Sequence, residues 1–404
     1  MVGRQPDGCA SSRWRLVKIL HVAASYLPAV RYGGTIVSVH GLCRALAERG
    51  HDVHVLTTNV NGATNSDVPL ASPVAMDGVT VWYFPSRFVR RLYWSPPMAR
   101  ALEQHIGEFA IAHLHAMFVW PTWAAARAAH RAKVPYLFAP RGMLEQGLVK
   151  RQSRLLKSAW IRIADRRSLE QAAGIHVTSA REATEAKAFG FALPPIYEVP
   201  NGVSLEDGTG GGRPSAAIAA ITGGRPYVLF LGRINWKKGL DRLVAALPGV
   251  PGVRLVVAGN DDEGYRAIVD ELAAAAGVSG RLVFVGPVLG ADKSMLLRHA
   301  QLLVVPSYSE NFGNVVIEAM AAGCPVIVTP EVGSAAIVKE TGSGWVVPGD
   351  AAALSHGIST LLADAETRRR MSETGRAASV HYAWCAVAER METVYEQVLR
   401  GGRE

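Results

Sequence analysis

The stretch Ser307–Pro325 carries two carboxylates, Glu310 and Glu318, with seven residues between them. It follows an apolar run and reads as a strand that opens into a helix. In that setting the backbone N–H groups of Asn311, Phe312, Gly313, Asn314 and Val315 point beyond the strand end, where they can receive anionic or hydroxyl oxygens. Val315, Val316, Ala319, Met320 and Ala322 supply the buried side of the helix, so Glu318 keeps apolar company. A carboxylate placed there needs partners, and sugar or ribose hydroxyls are suitable ones. The same pair could equally be a capping-region acid and an ordinary solvated helix acid, and the spacing alone leaves both readings open.

A second chemical cluster lies in Phe230–Leu240. Gly232 at a strand end lets the backbone approach a ligand, and Arg233 and Lys238 are two cations able to offset the charge that builds on a departing phosphate. A basic turn of this kind also describes a solvated surface. Gly33 and Gly34, in Arg31-Tyr32-Gly33-Gly34-Thr35, allow close approach at the start of a helix whose dipole favours an anion. His115 ends the strand-like Ala112-His113-Leu114-His115, and Arg141 follows another strand in Ala139-Pro140-Arg141-Gly142-Met143-Leu144. Either could face a ligand; His115 could as well be a packing residue. Tyr93 and Trp94 stand with Phe84, Phe88, Arg87, Arg90 and Arg91, ahead of a second basic stretch at Lys150, Arg151, Arg154, Lys157, Arg162, Arg166 and Arg167. Such groups could hold a glycan or lipid diphosphate, or dock on an anionic leaflet, and they also fit a solvated face above core aromatics.

The elements that must position these residues form two series. Leu16–Val22 reads as a strand, Thr35–Arg49 as an amphipathic helix closed by Gly50, and His51–Leu56 as the next strand, which is a βαβ unit of a parallel sheet. Strands are expected at Val79–Phe84, Ile111–His115, Tyr136–Ala139, Ile175–Thr178 and Ile196–Val199, with a helix at Ala124–Ala132. Gly208, Gly210, Gly211, Gly212 and Pro214 mark a surface connection. A second series follows, with strands at Tyr227–Leu231, Arg254–Ala258, Arg281–Val285, Leu302–Val305, Pro325–Thr329 and Gly344–Val347. Its helices are expected from Gly239, at Tyr265–Ala276, Ala291–Ala300 and Gly313–Ala322, then at Ala351–Leu362 and from Glu366 to about Arg400. The reading is α/β: an N-terminal Rossmann-like domain (1–205), a linker (206–224), a C-terminal Rossmann-like domain (225–380) and a helical tail (381–404), with ligand bound in the cleft between the lobes.

The 404 residues exceed the usual growth of one core, and 49% hydrophobic residues supply two. A net charge of +9 favours anionic partners without choosing among nucleic acid, membrane and phosphorylated small molecules. The four cysteines, Cys9, Cys43, Cys324 and Cys385, form no CxxC pair, which fits neither a zinc signature nor a disulfide framework and points to a reducing compartment. No apolar signal core opens the chain, and no uncharged apolar run reaches the length of a membrane span, so a cytoplasmic protein is expected, with peripheral membrane contact open.

These motifs together resemble the retaining glycosyltransferases of GT-B architecture, the glycosyltransferase family 4 or group 1 type, which includes sucrose and glycogen synthases and bacterial mannosyl- and glucosyltransferases. The resemblance covers nearly the whole chain and is sharpest at Glu310–Pro325. It implies that Glu310 meets hydroxyls of a donor sugar, that Glu318 meets the nucleoside ribose, and that backbone groups from Asn311 through Val315 approach the sugar. Arg233 and Lys238 would hold the donor diphosphate, which leaves no metal or other cofactor to be expected, and Gly33 and Gly34 would lie near donor or acceptor. Relatives often carry a histidine after the strand corresponding to Tyr136–Ala139. This chain has Pro140-Arg141-Gly142-Met143-Leu144 there, a form similar to a subset of polysaccharide-type transferases, so Arg141 or His115 would stand in. The resemblance further implies that the last helix crosses back to the first domain, with Tyr382, Trp384 and Val387 as anchors. The expected reaction is transfer of a hexose from a UDP- or GDP-sugar to a glycan, lipid-linked or small-molecule acceptor, with Tyr93, Trp94 and Arg141 on the acceptor side. A nucleotide-sugar epimerase of the same fold and a nucleic-acid-binding protein are the competing readings.

Overall fold

The computed structural model describes residues 15–29, 33–144, 160–205, 213–262 and 264–401, without the side chains of 162 and 163. Cys9, Arg31, Tyr32, Gly208, Gly210, Gly211, Gly212, Lys150, Arg151, Arg154, Lys157 and the Arg162 side chain lie outside that description. The chain divides into two compact units. Of the described residues, one unit combines those up to Gly202 with those from Trp384 onward; the other runs Val203–Ala383.

The first unit holds an eight-stranded sheet. Its strands are β1 (Lys18–Ser25), β2 (Asp52–Thr58), β5 (Pro73–Met76), β6 (Val79–Phe84), β7 (Ile111–His115), β8 (Tyr136–Ala139), β9 (Gly174–Val177) and β10 (Ile196–Glu198), and a separate hairpin pairs β3 (Val60–Asn61) with β4 (Thr64–Asn65). The spatial order is β10-β9-β8-β7-β1-β2-β6-β5. All neighbours are parallel except the edge strand β5, which runs antiparallel to β6. The central strands are buried on both faces, which is why β7 and β8 read as unbroken buried runs. The helix Gly34–Glu48 covers one face with Ile36, Val39, Leu42, Cys43, Ala45 and Leu46. The helix Trp120–Ala132 packs on the opposite face, within a separate core cluster.

The C-terminal helix Trp384–Gly401 belongs to this first unit. Val387, Met391, Tyr395 and Val398 form its buried stripe, spaced by three or four residues, in one cluster with Val39, Leu42 and Leu46. The Trp384 indole lies where a Cβ on either Gly41 or Gly202 would sit, only 2.2 and 2.4 Å away, so both positions must be glycine for the ring to fit. A buried ionic cluster ties the helix further. Glu392 accepts from Arg49 Nε and Nη2, both at 2.7 Å, and faces His51 Nε2 at 2.9 Å. Burial would raise the Glu392 carboxyl pKa, but bonds to His51 and Arg49 outweigh it and leave it well below the usual range.

The second unit holds β11 (Tyr227–Leu231), β12 (Arg254–Ala258), β13 (Leu282–Gly286), β14 (Leu302–Val305), β15 (Val326–Val328) and β16 (Gly344–Val346) in the order β13-β12-β11-β14-β15-β16. Every pairing is parallel. Its two faces carry separate apolar clusters, one around Leu229, Val256, Ile317 and Met320, the other around Val228, Leu240, Val257 and Ile358. Two Rossmann-like units, the first finished by the last helix of the chain, make the GT-B architecture.

Several details differ from the expectation. Residues 216–222 within the proposed linker form a helix, Ala216–Thr222, whose Ile218 is buried in the second unit's core. The long last helix is in fact two, Ala365–Ser379 and Trp384–Gly401, separated by a 3-10 turn at Val380–Tyr382. Tyr382 lies on the second unit's side of that break, so only Trp384 and Val387 of the three expected anchors serve the first unit. Cys43 and Cys324 are free and buried. No helix among the described residues is long and apolar enough to cross a membrane.

Candidate active site

In the second unit the expected residues gather at strand ends. After β14, Pro306–Gly313 form a loop whose Glu310 backbone bonds to both sides of a neighbouring loop, receiving from Gly333 N–H at 2.9 Å and donating to Glu331 O at 3.2 Å. Gly313, at φ 86°, starts the helix Asn314–Ala322. A Cβ there would press on Val332 Cγ1 at 3.0 Å, so the turn needs glycine for both conformation and space. Phe312 is 2% exposed and pins the loop to the core. Across from it, β11 leads through Gly232 and Arg233 to a 3-10 turn, Trp236–Lys238. Gly239, at φ 67°, passes so close to the Pro306 carbonyl that a Cβ would lie 2.0 Å from its oxygen.

These turns bring opposite charges together. Lys238 Nζ donates to Glu310 Oε2, with both side chains about four-fifths buried. Lys293 Nζ, from the helix Gly290–His299, donates to Glu318 Oε1 at 2.9 Å. Arg233 Nη1 donates to Asp262 Oδ2 at 2.9 Å. Each expected ligand-binding charge therefore has a counter-charge. Two of these, Lys293 and Asp262, escaped sequence reasoning. Asp262 follows Gly259 at the end of β12, and a strand-end acid was the available signal. Lys293 sits in a helix that reads as ordinary surface. Arg242 is a further cation here, its guanidinium 3.6 Å above the Tyr308 ring, while Tyr308 donates to Asp241 at 2.7 Å.

In the first unit, Gly33 takes φ 64° at the start of the helix Gly34–Glu48, and a Cβ on it would meet nothing within 4 Å. Tyr93 is half-buried at φ 58° and Trp94 is exposed, with Phe88 and Val89 also exposed beside Arg87 and Arg91. Arg90 is not part of a free basic face: it donates to Asn65 Oδ1, Gly62 O and Thr64 O.

His115 does not stand open to a ligand. It is 1% exposed, with Nε2 2.9 Å from His21 Nδ1 and Nδ1 3.1 Å from Arg141 Nη2. Parallel register sets His21 of β1 opposite His113 of β7, and the period of two puts His115 on the same face. His176 of β9 joins at 3.1 Å from His113 Nε2. Burial first, and then the Arg141 charge, lowers the pKa of His21 to about 3; the same causes bring His176 to about 3. Arg141 follows β8 at φ 56° and donates from Nη1 to Asn201 Oδ1 at 3.0 Å. The adjacent Gly142 N–H is clamped by Glu182 Oε1 at 2.6 Å, and Glu182 Oε2 accepts from Thr178.

His21, His113 and His115 bring nitrogens within 4.8 Å of one another, close enough to consider a metal ion. The contacts do not suit one. Two nitrogens on a tetrahedral zinc stand about 3.3 Å apart, whereas His21 and His115 approach at hydrogen-bond distance, and a guanidinium occupies the remaining His115 nitrogen.

Residues 215–378 match the family described as Glycosyl transferases group 1, and residues 33–202 match a Glycosyl transferase 4-like domain. A D-inositol 3-phosphate glycosyltransferase of Xylanimonas cellulosilytica is 31% identical, over 91% of this chain and 92% of that one. A phosphatidyl-myo-inositol mannosyltransferase of Mycobacterium leprae is 28% identical over 92% and 94%. Among solved structures, the sucrose-phosphate synthase of Thermosynechococcus elongatus superposes with TM-score 0.75 at 23% identity, covering 95% of this chain and all of that one. Anabaena HepE in complex with UDP and glucose gives 0.73 at 18%, covering 94% and 100%. The chain belongs to the group 1 glycosyl transferases and is an enzyme of that class.

Proposed function

We propose that the protein transfers a hexose, with retention, from a nucleoside-diphosphate sugar to an acceptor hydroxyl, and that the second unit binds the donor. The observation that carries this reading is the pairing of Lys238 with Glu310 at the ends of β11 and β14, beside a helix N-terminus. Donor binding exchanges these internal partners. Glu310 turns to sugar hydroxyls and Glu318 to the ribose, while Lys238 and Arg233 turn to the diphosphate. In this reading no protein nucleophile is needed. The enzyme aligns the acceptor hydroxyl with the anomeric carbon, the leaving diphosphate takes up the acceptor proton, and the two cations stabilise the charge that develops on it.

The first unit binds the acceptor. Arg141 is a half-buried cation whose two hydrogen-bond partners, His115 and Asn201, are neutral, so it suits an acceptor bearing a phosphate. The relatives named for a phosphorylated inositol and for phosphatidyl-myo-inositol support an anionic acceptor of that chemistry. Phe88, Val89 and Trp94, exposed beside Arg87 and Arg91, fit peripheral contact with an anionic leaflet at the cytoplasmic face.

Thermal stabilisation by a panel of UDP-, GDP- and ADP-sugars tests the donor site. Stabilisation by one nucleotide class, lost in Lys238→Ala and Glu318→Ala, is the expected result. Absence of any shift, with stabilisation by nucleic acid instead, overturns it.

A further inference from the structure

The hydrogen bonds behind Arg141 end in groups of fixed polarity. The Arg141 guanidinium can only donate, and the Val199 carbonyl can only accept. Working inward from the carbonyl, His176 Nε2 lies 2.9 Å from Val199 O and must carry the proton, which makes His176 Nδ1 an acceptor. His113 Nε2, 3.1 Å away, then donates to it, so His113 Nδ1 accepts. The Tyr395 hydroxyl is 2.9 Å from that nitrogen and donates to it. Working inward from Arg141, His115 Nδ1 accepts, so His115 Nε2 donates to His21 Nδ1. His21 Nε2 then holds the remaining proton, 3.5 Å from the Tyr395 oxygen, which accepts it.

The two halves meet at Tyr395 without conflict. All four imidazoles are neutral and carry their proton on Nε2. Moving the proton on His115 or His176 would set N–H against N–H on one side and lone pair against lone pair on the other, and moving it on His21 or His113 would set like against like toward the neighbouring ring. Glu182, whose charge acts on Arg141, has its oxygens committed to Gly142 and Thr178 and does not branch the series. His21, His113, His115, His176 and Tyr395 are each 3% exposed or less, so no bulk water competes.

We propose that this unbranched relay positions Arg141 for a phosphate-type anion, and that Tyr395, contributed by the last helix, is the positioning residue that joins its two halves, donating to His113 and accepting from His21. By satisfying His21 Nε2–H, the hydroxyl supports the tautomers that Arg141 dictates, with the His115 proton toward His21 and His115 Nδ1 a lone pair facing Arg141. With the opposite tautomer an N–H would confront the guanidinium and drive it from Asn201. The proposal rests on the acceptor-side reading of Arg141.

The test is long-range 1H–15N spectroscopy of the full chain labelled at histidine, with inorganic phosphate as the probe. At pH 7, His21, His113, His115 and His176 are expected as neutral Nε2–H tautomers. An Nδ1–H form or an imidazolium at any of them overturns the relay, whatever a variant does. Phosphate is expected to shift the His115 Nδ1 resonance, and Arg141→Met to abolish that titration. Tyr395→Phe keeps the ring and removes only the oxygen; it should leave His21 Nε2–H and His113 Nδ1 without their partner, shift both resonances, and weaken phosphate at this site about tenfold. An intact spectrum with no phosphate response in the parent protein overturns the acceptor reading and the positioning role with it. A normal response to phosphate that survives Tyr395→Phe but not Arg141→Met overturns the role of Tyr395 alone.

Discussion

Lys293 Nζ stands 2.9 Å from Glu318 Oε1, giving the second carboxylate of the seven-residue spacing a lysine of its own, as Lys238 gives one to Glu310. On the proposed reading of this site, a nucleotide sugar takes the place of each ion-pair partner. Side-chain exposures of 18–29% in these pairs mean that solvent still screens them. Breaking them costs little, on the order of 1 kcal/mol each.

Lys293→Met is expected to lower the Kd of the preferred nucleoside diphosphate about three- to tenfold, because Glu318 no longer has to be released from its lysine. Glu318→Gln, which removes the carboxylate proposed to meet the ribose, should raise it. Isothermal titration checks both, and equal affinity in Lys293→Met would assign Lys293 to the surface.

Lys238→Ala is expected to lower kcat/KM by about 10²–10³, the usual loss when one stabilising group for developing charge is removed. The melting temperature should hold within a few degrees, since the Lys238–Glu310 pair is partly exposed. Steady-state kinetics beside a thermal melt separates the two effects.

Gly239→Ala should be among the most damaging single-methyl changes. The added carbon would meet the Pro306 carbonyl oxygen at 2.0 Å in a left-handed turn that alanine disfavours. The expected outcome is a loss of nucleotide binding larger than the loss of stability, read by titration and melt on the same sample, because the displaced segments carry Lys238 and Glu310.

Acid should unfold the first unit early. The buried imidazoles stay neutral when folded, with His21 and His176 at about 3, but protonate near 6.5 once the chain unfolds. The unfolded state therefore binds more protons between these values, and stability falls as pH drops from about 6.5 toward about 3. At pH 5 each such imidazole contributes a loss of about 2 kcal/mol. Melting temperatures from pH 8 to pH 5 should be flat above pH 7 and fall steeply below it; a flat profile throughout would show that the imidazoles are charged in the fold.

Glu392→Ala is expected to destabilise the first unit by about 3–5 kcal/mol, the cost of leaving a buried arginine without its carboxylate. Arg49 and His51 both face Glu392 in a setting no more than 6% exposed. A double substitution of Arg49 and Glu392 by apolar residues should recover much of that loss in a denaturant titration.

Much of this could be read in the sequence. The parallel strands announced themselves as apolar runs, and β6, β7, β8, β11, β12 and β14 lie where the runs predict. Edge strand β5 and the short helices Ala180–Lys187 and Ala335–Thr341 did not, because half-buried elements of few residues carry no clear period. Glu310, Lys238 and Arg233 lie near strand ends as expected, but their proposed ligand roles come from the resemblance rather than from position. Their partners Lys293 and Asp262 were not legible, since which surface charge meets which carboxylate depends on how helices seat on the sheet. The histidines were the hardest case. His115 reads equally as a ligand-facing strand-end residue and as a packing one, and only the register of β1 against β7, with Tyr395 arriving from 282 residues after His113, joins it to an internal series of rings.

The last helix also dictates an order of events during synthesis. Trp384 leaves the ribosome only after the whole of Val203–Ala383 has emerged, so the second unit has all of its residues before the first has its final ones. Until then Gly41 and Gly202 lack the indole that fills the space between them and the chain's end, and Arg49 lacks Glu392. The nascent first unit waits as an unfinished sheet with an uncovered apolar face, exposed to chaperones and proteases for the time it takes to translate nearly half the protein. A stop codon shortly before Trp384 would therefore spare Val203–Ala383 and condemn the unit made first.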